Sequence, residues 1–159
     1  MNKATFLALI LMASPAIADT TLVAEPQDPT GKFTTATEVK PIMQATRSAW
    51  VALREYEGQD WLYVTQILSW RCGLVQLKLG VNGDEPAVWP MPPCHTDTAQ
   101  PNAMTESDFQ LQPNIYKVYP LSSVNSISVE ITYDDLTTDS HTWERKAVLM
   151  PLGAAHVLR

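Results

Sequence analysis

Cys72 and Cys94 are the most reactive side chains of this 159-residue chain, and their spacing limits what they can do. They stand 22 positions apart, so no C-x-x-C arrangement exists to lower a thiol pKa for redox exchange. In an oxidising compartment two such cysteines pair as a structural disulfide. Closing a loop of that length stabilises a domain by about 3 kcal/mol in the chain-entropy account. The run Met91-Pro92-Pro93-Cys94-His95 also gathers a thioether, a thiol and an imidazole, soft ligands that suit Cu(I). That use needs Cys94 reduced and so competes with the disulfide.

Acid–base chemistry would fall to His95, His141 and His156. His95-Thr96-Asp97 sets a carboxylate near one of them, but no activated nucleophile accompanies it. The G-x-S-x-G elbow, the H-E-x-x-H zinc motif and a phosphate-cradling glycine loop are all missing from the sequence. Asp134, Asp135 and Asp139 offer oxygen ligands for Ca²⁺, without the D-x-[DN]-x-[DN]-G spacing. Aspartates there also suit a hairpin turn, where they bond nearby backbone. No cofactor, metal or catalytic residue is therefore expected. The candidate binding residues are Trp61, Tyr63 and Arg71, which share the odd-numbered face if residues 61–71 form one strand. Trp, Tyr and Arg dominate binding hot spots. The competing reading covers that face with the N-terminal segment or the proline loop. A single Pro90-x-x-Pro93 match adds little for polyproline recognition.

These side chains need a compartment and elements to position them. Met1-Asn2-Lys3, an apolar run from Ala4 to Ala13, and Ala16-Ile17-Ala18 have the layout of a secretory signal peptide cut after Ala18. The run is shorter than the roughly 20 residues that span a bilayer. The expected location is the periplasm. The formal charge is −6, and removing residues 1–18 with Lys3 makes it one unit more negative. An acidic protein whose only adjacent basic pair is Arg145-Lys146 is a poor match for nucleic acid or anionic lipid.

Residues 19–34 read as an extended segment with a short strand at Thr20–Ala24, residues 35–150 as one β-rich domain, and 151–159 as a tail. Thr35 and Glu38 have capping-box spacing, but Pro41 would lack the N–H of such a helix, so a helix over 41–47 is expected instead. Strands are expected at 50–56, 61–71, 74–81, 87–89, 116–119, 126–133 and 140–150. The even face of 61–71 would point inward, burying Gln66. Asn82-Gly83 is a strong hairpin signal, and Pro90 makes the strand before it an edge strand or ends it. One helical turn is expected near Thr105–Phe109, and a bulge near 144–146 to accommodate Arg145 on an inner face. In this meander, Cys72 and Cys94 finish at the same end of strands about 9.6 Å apart. A disulfide reaches only about 7 Å between Cα atoms, so Pro92-Pro93 must fold Cys94 back.

About seven strands with regular turn signals predict a β-sandwich, immunoglobulin-like in the broad sense, with a small barrel as the alternative. The cysteines are too close in sequence for the antibody inter-sheet bridge. The functional expectation is an exported, non-catalytic binding or accessory module presenting a sheet face or edge to a protein partner. A small hydrolase using His95 or His141 with a carboxylate is the alternative, and an envelope-structural protein a third.

Overall fold

The computed structural model describes residues 22–110 and 115–151. The expected signal peptide and most of the tail lie outside these residues. Seven strands form two antiparallel sheets. β1 (Ala52–Tyr56), β2 (Gln59–Tyr63) and β5 (Tyr116–Pro120) form one, in the order β1-β2-β5. β3 (Leu74–Val81), β4 (Ala87–Trp89), β6 (Ser126–Tyr133) and β7 (Thr138–Glu144) form the other, in the order β4-β3-β6-β7. The chain is an all-β sandwich rather than a closed barrel. Strands one, two and five facing three, six and seven is the immunoglobulin-like order, with the fourth strand on the second sheet.

The clearest strand patterns lie where expected. β6 alternates half-buried and buried along its whole length, and β3 and β4 begin and end at the expected residues. Glu57-Gly58 turns β1 into β2 with both residues at positive φ (50° and 74°), the conformation of a tight hairpin turn. The core lies between the sheets. Leu53, Leu62, Leu77, Ile127 and Ile131 are fully buried there.

The strand expected over 61–71 stops at Tyr63. A short helix, α2 (Thr65–Leu68), and a 3₁₀ turn (Arg71–Gly73) follow it. Val64, Ile67, Leu68 and Arg71 are all buried, a three-and-four spacing that belongs to a helical path rather than a strand. Gln66 is half-buried on that path, and its Nε2 donates to Thr46 Oγ1 at 3.2 Å. The next strand, β3, therefore enters the opposite sheet instead of returning beside β2.

The helix expected over 41–47 spans Ala36–Ala45 (α1) and contains Pro41. Its start is fixed from outside. Asp134 Oδ1 accepts from Ala36 N–H at 2.8 Å, and Gln27 Oε1 from Thr37 N–H at 3.0 Å. Two orphan donors of the first turn are thereby satisfied, which offsets the bond that Pro41 cannot make. Val39 and Met43 face the core. Gly73 lets α1 approach, since a Cβ there would lie 2.5 Å from Val39 Cγ2. Residues 22–24 form no strand. The helical turn near Thr105–Phe109 appears as a 3₁₀ turn over Asp108–Gln110.

Arg145 needs no bulge. β7 ends at Glu144, and a short helix, α3 (Arg145–Val148), turns the side chain across the end of the sandwich. Its guanidinium donates to Asp60 at 2.6 and 2.8 Å and to Glu55 at 2.6 Å. These bonds hold the Asp60 carboxyl below its ordinary pKa despite complete burial, and raise that of Arg145. The pair ties the second sheet's last strand to the first sheet.

Candidate binding face and the loop beneath it

Cross-strand register assembles an aromatic cluster on the outer face of the three-stranded sheet. Arg54 lies opposite Trp61, Ala52 opposite Tyr63, and Tyr63 opposite Tyr116. Side chains alternate along a strand, so Arg54, Tyr56, Trp61, Tyr63, Tyr116 and Val118 share this face. The Trp61 and Tyr116 rings stack with centroids 4.6 Å apart and planes 27° apart. Tyr63 stacks on Trp61 from 6.4 Å, and Tyr56 meets it edge-on at 5.6 Å. The Arg54 guanidinium lies 4.6 Å from the Tyr56 centroid, a cation–π arrangement. A hydrogen bond with Glu57 pushes the Tyr56 phenol pKa up. The Trp61 Nε1–H is enclosed and has no acceptor among the described residues. Beside Tyr63 and Arg54 a groove of about 460 Å³ runs along β1, with Met150 and Gln66 on its other wall.

Trp61 and Tyr63 are therefore neighbours, as alternation predicts. Arg71 is not with them. It is 2 % exposed, beyond α2, and its guanidinium holds the proline loop. Nε donates to Pro92 O at 3.1 Å, Nη1 to Leu68 O at 3.2 Å and to Asn102 O, and Nη2 to Ala103 O at 3.1 Å. Burial lowers the Arg71 pKa, and Asp108, 3.8 Å away, opposes that shift. Tyr56, Tyr116 and Arg54 escape sequence reading. The first and last lie two residues apart just before the Glu57-Gly58 turn, a legible hint, whereas Tyr116 joins only through long-range pairing.

The feared cover over this face is engaged elsewhere. Glu25 N–H donates to Asp134 O, Gln27 bonds Asp134 and Thr37, and Lys32 donates to Thr98 O. The proline loop bonds Arg71, and Asn102 Oδ1 accepts from Cys72 N–H at 2.9 Å.

Cys72 and Cys94 are bonded, with Cα atoms 4.9 Å apart. The bond joins the 3₁₀ turn after α2 to the proline loop, rather than two ends of one meander. Cys94 sulfur is thus committed within the soft-ligand run, and Met91 packs against the core. No group of three or more His, Cys, Asp or Glu suited to a metal occurs among the described residues. Asp134 and Asp135 in the β6–β7 turn and Asp139 at the start of β7 grip the α1 side instead. Asp134 caps α1, Asp135 pairs with Lys40, and Asp139 pairs with Arg47 at 2.7 Å.

His95 does meet a carboxylate, though not Asp97. Its Nε2 lies 2.8 Å from Oδ2 of Asp108, which is 3 % exposed and also accepts from Thr105 N–H at 2.7 Å. Burial opposes ionisation of Asp108, but these bonds hold its pKa below the usual range. The nearby hydroxyls are engaged: Thr98 Oγ1 donates to His95 O, and Thr105 Oγ1 bonds Ser107 Oγ. His141 is exposed and packs on Trp143 at 4.6 Å. His156 lies outside the described residues.

No family model, curated protein or solved structure matches this chain. Among the described residues no helix is long and apolar enough to cross a membrane.

Proposed function

We propose that this protein is an exported, periplasmic, non-catalytic binding module that presents the outer face of β1-β2-β5 to a protein partner. The observation that carries this reading is the Trp61–Tyr116 stack, flanked by Tyr63, Tyr56 and Arg54, on a sheet face. Trp61, Tyr63 and Tyr116 are half-buried, Tyr56 is exposed, and none of the four belongs to the hydrophobic core. Rigid aromatic side chains of this kind lose little entropy on binding. Acidic charge and the lack of a basic patch favour a protein over a nucleic acid. The test is Trp61→Ala with Tyr63→Ala. The double variant should melt as a folded protein and lose a partner that the parent protein captures from periplasmic extract. Unfolding of both single variants would make the face core and remove the reading.

The His95–Asp108 contact favours one other reading, a small hydrolase with His95 as general base and Asp108 as its orienting carboxylate. Activity profiling of the pure protein tests it. Any hydrolysis found must disappear in His95→Ala.

A further inference from the structure

We propose that β7 joins two copies of this chain, so that the four-stranded sheets of both run together about a twofold axis. The two sheets have four edges, and three are protected. β4 is only three residues long and lies between Pro86 and Pro90. β5 carries Lys117 and ends on Pro120. The β1 edge is occupied by the chain's own Leu149–Met150, with Met150 N–H donating to Leu53 O at 2.7 Å. Short length, lysine, proline and cover are the usual defences against strand addition.

β7 has none of them. Its seven residues, Thr-Asp-Ser-His-Thr-Trp-Glu, include neither proline nor lysine, and they pair with β6 without a register shift. The contacts at its ends show which groups remain free. Tyr133 N–H donates to Thr137 O at 2.9 Å, and Arg145 N–H to Asn125 O at 2.7 Å. Hydrogen-bonded positions therefore fall on the odd-numbered residues. The N–H and C=O groups of Thr138, Ser140, Thr142 and Glu144 point away from β6. They have no partner among the described residues.

The strand is complementary to itself. Outward groups must oppose outward groups, and the register that uses all of them is centred on His141. It sets Thr138 opposite Glu144, Ser140 opposite Thr142, and His141 opposite its own copy. Hydroxyl pairs across strands are favourable, and like charges directly opposite are not. Here Glu144 meets a hydroxyl. Asp139 meets Trp143 and is already neutralised by Arg47. A shift by two residues either way leaves free groups unpaired at both ends. One patch used twice is an isologous contact, which closes at two copies.

Sedimentation of the purified protein over a range of concentrations tests this. A monomer–dimer equilibrium is expected, and Ser140→Pro, which deletes one outward N–H, should sediment as a monomer. His141→Cys gives a second readout that does not depend on that variant folding. In the centred register its two copies form a non-hydrogen-bonded pair with Cα atoms about 4.5 Å apart, within disulfide reach. In oxidised glutathione it should form a covalent dimer at least about tenfold faster than Val88→Cys on the protected β4 edge. A parent protein that stays monomeric throughout, with His141→Cys no faster than Val88→Cys, would overturn the proposal. The Trp61→Ala, Tyr63→Ala double variant should dimerise like the parent, which separates this result from the fate of the aromatic face.

Discussion

Two regions of this molecule use their polar and aromatic side chains in opposite ways. At the loop end, around α1, the disulfide and the proline loop, the buried and half-buried charges Glu38, Arg71, Asp108 and Asp134 hold the chain to itself. Arg71 holds the proline loop by its carbonyls. Asp134 caps a helix, and Glu38 gathers the N-terminal segment. On the outer face of β1-β2-β5, four aromatic rings and Arg54 hold mainly one another. The contrast separates side chains that secure the fold from side chains the fold displays. Arg71 makes the point most sharply, because its type suits a binding face and its position makes it an anchor.

The comparison can be broken first at Arg71. Arg71→Ala would leave several buried carbonyls and Asp108 without their cation. Breaking a buried charge network of this kind costs about 3–5 kcal/mol, which urea unfolding would register. A loss below about 1 kcal/mol would mean that Arg71 is not an anchor. Removing the disulfide with Cys72→Ser and Cys94→Ser should cost slightly less, about 3 kcal/mol, in the same measurement.

Glu38 sharpens the contrast through pH. Burial disfavours its charged form, yet bonds from Thr34, Thr35, Gly31 and Thr30 hold its pKa at about 2. A depressed carboxyl pKa stabilises the fold above the unfolded value of about 4.3, and that contribution is lost as pH falls through about 2. Glu38→Gln should therefore weaken the protein by about 1–2 kcal/mol at neutral pH and flatten its acid unfolding over that window. A parallel acid limb in the variant and the parent would argue against this role.

The smallest stability effect belongs to the displayed face. Tyr56→Ala, at the exposed rim of the face, removes one ring–ring contact worth about 0.5–1.5 kcal/mol and leaves the core intact. Thermal melts should shift by only a few degrees in a domain of this size.

Legibility followed the periodicity of each segment. Ser126–Tyr133 alternates without ambiguity, and Asn82-Gly83 and Pro90 mark the ends of their strands, so β3, β4 and β6 could be read with their bounds. Residues 64–71 satisfy two periods at once. Leu62, Val64 and Leu68 suit a strand, while Val64, Ile67, Leu68 and Arg71 suit a helical path, and burial of Arg71 beneath the proline loop favours the second. The start of α1 has no complete local signal, because its cap, Asp134, stands 98 positions away. Trp61 and Tyr63 were visible as a pair, but their neighbours on the face come from β1 and β5 through register that no local pattern encodes.

The central claim is that the aromatic face binds and the opposite outer face does not. Affinity for the captured partner, measured by calorimetry, decides it. The Trp61→Ala, Tyr63→Ala protein should bind at least about 30-fold more weakly, as loss of a hot spot of 2 kcal/mol or more requires. Lys78→Ala with Glu130→Ala, on the outer face of the four-stranded sheet, should bind like the parent. Unchanged affinity in the first variant, or an equal loss in the second, would contradict the account.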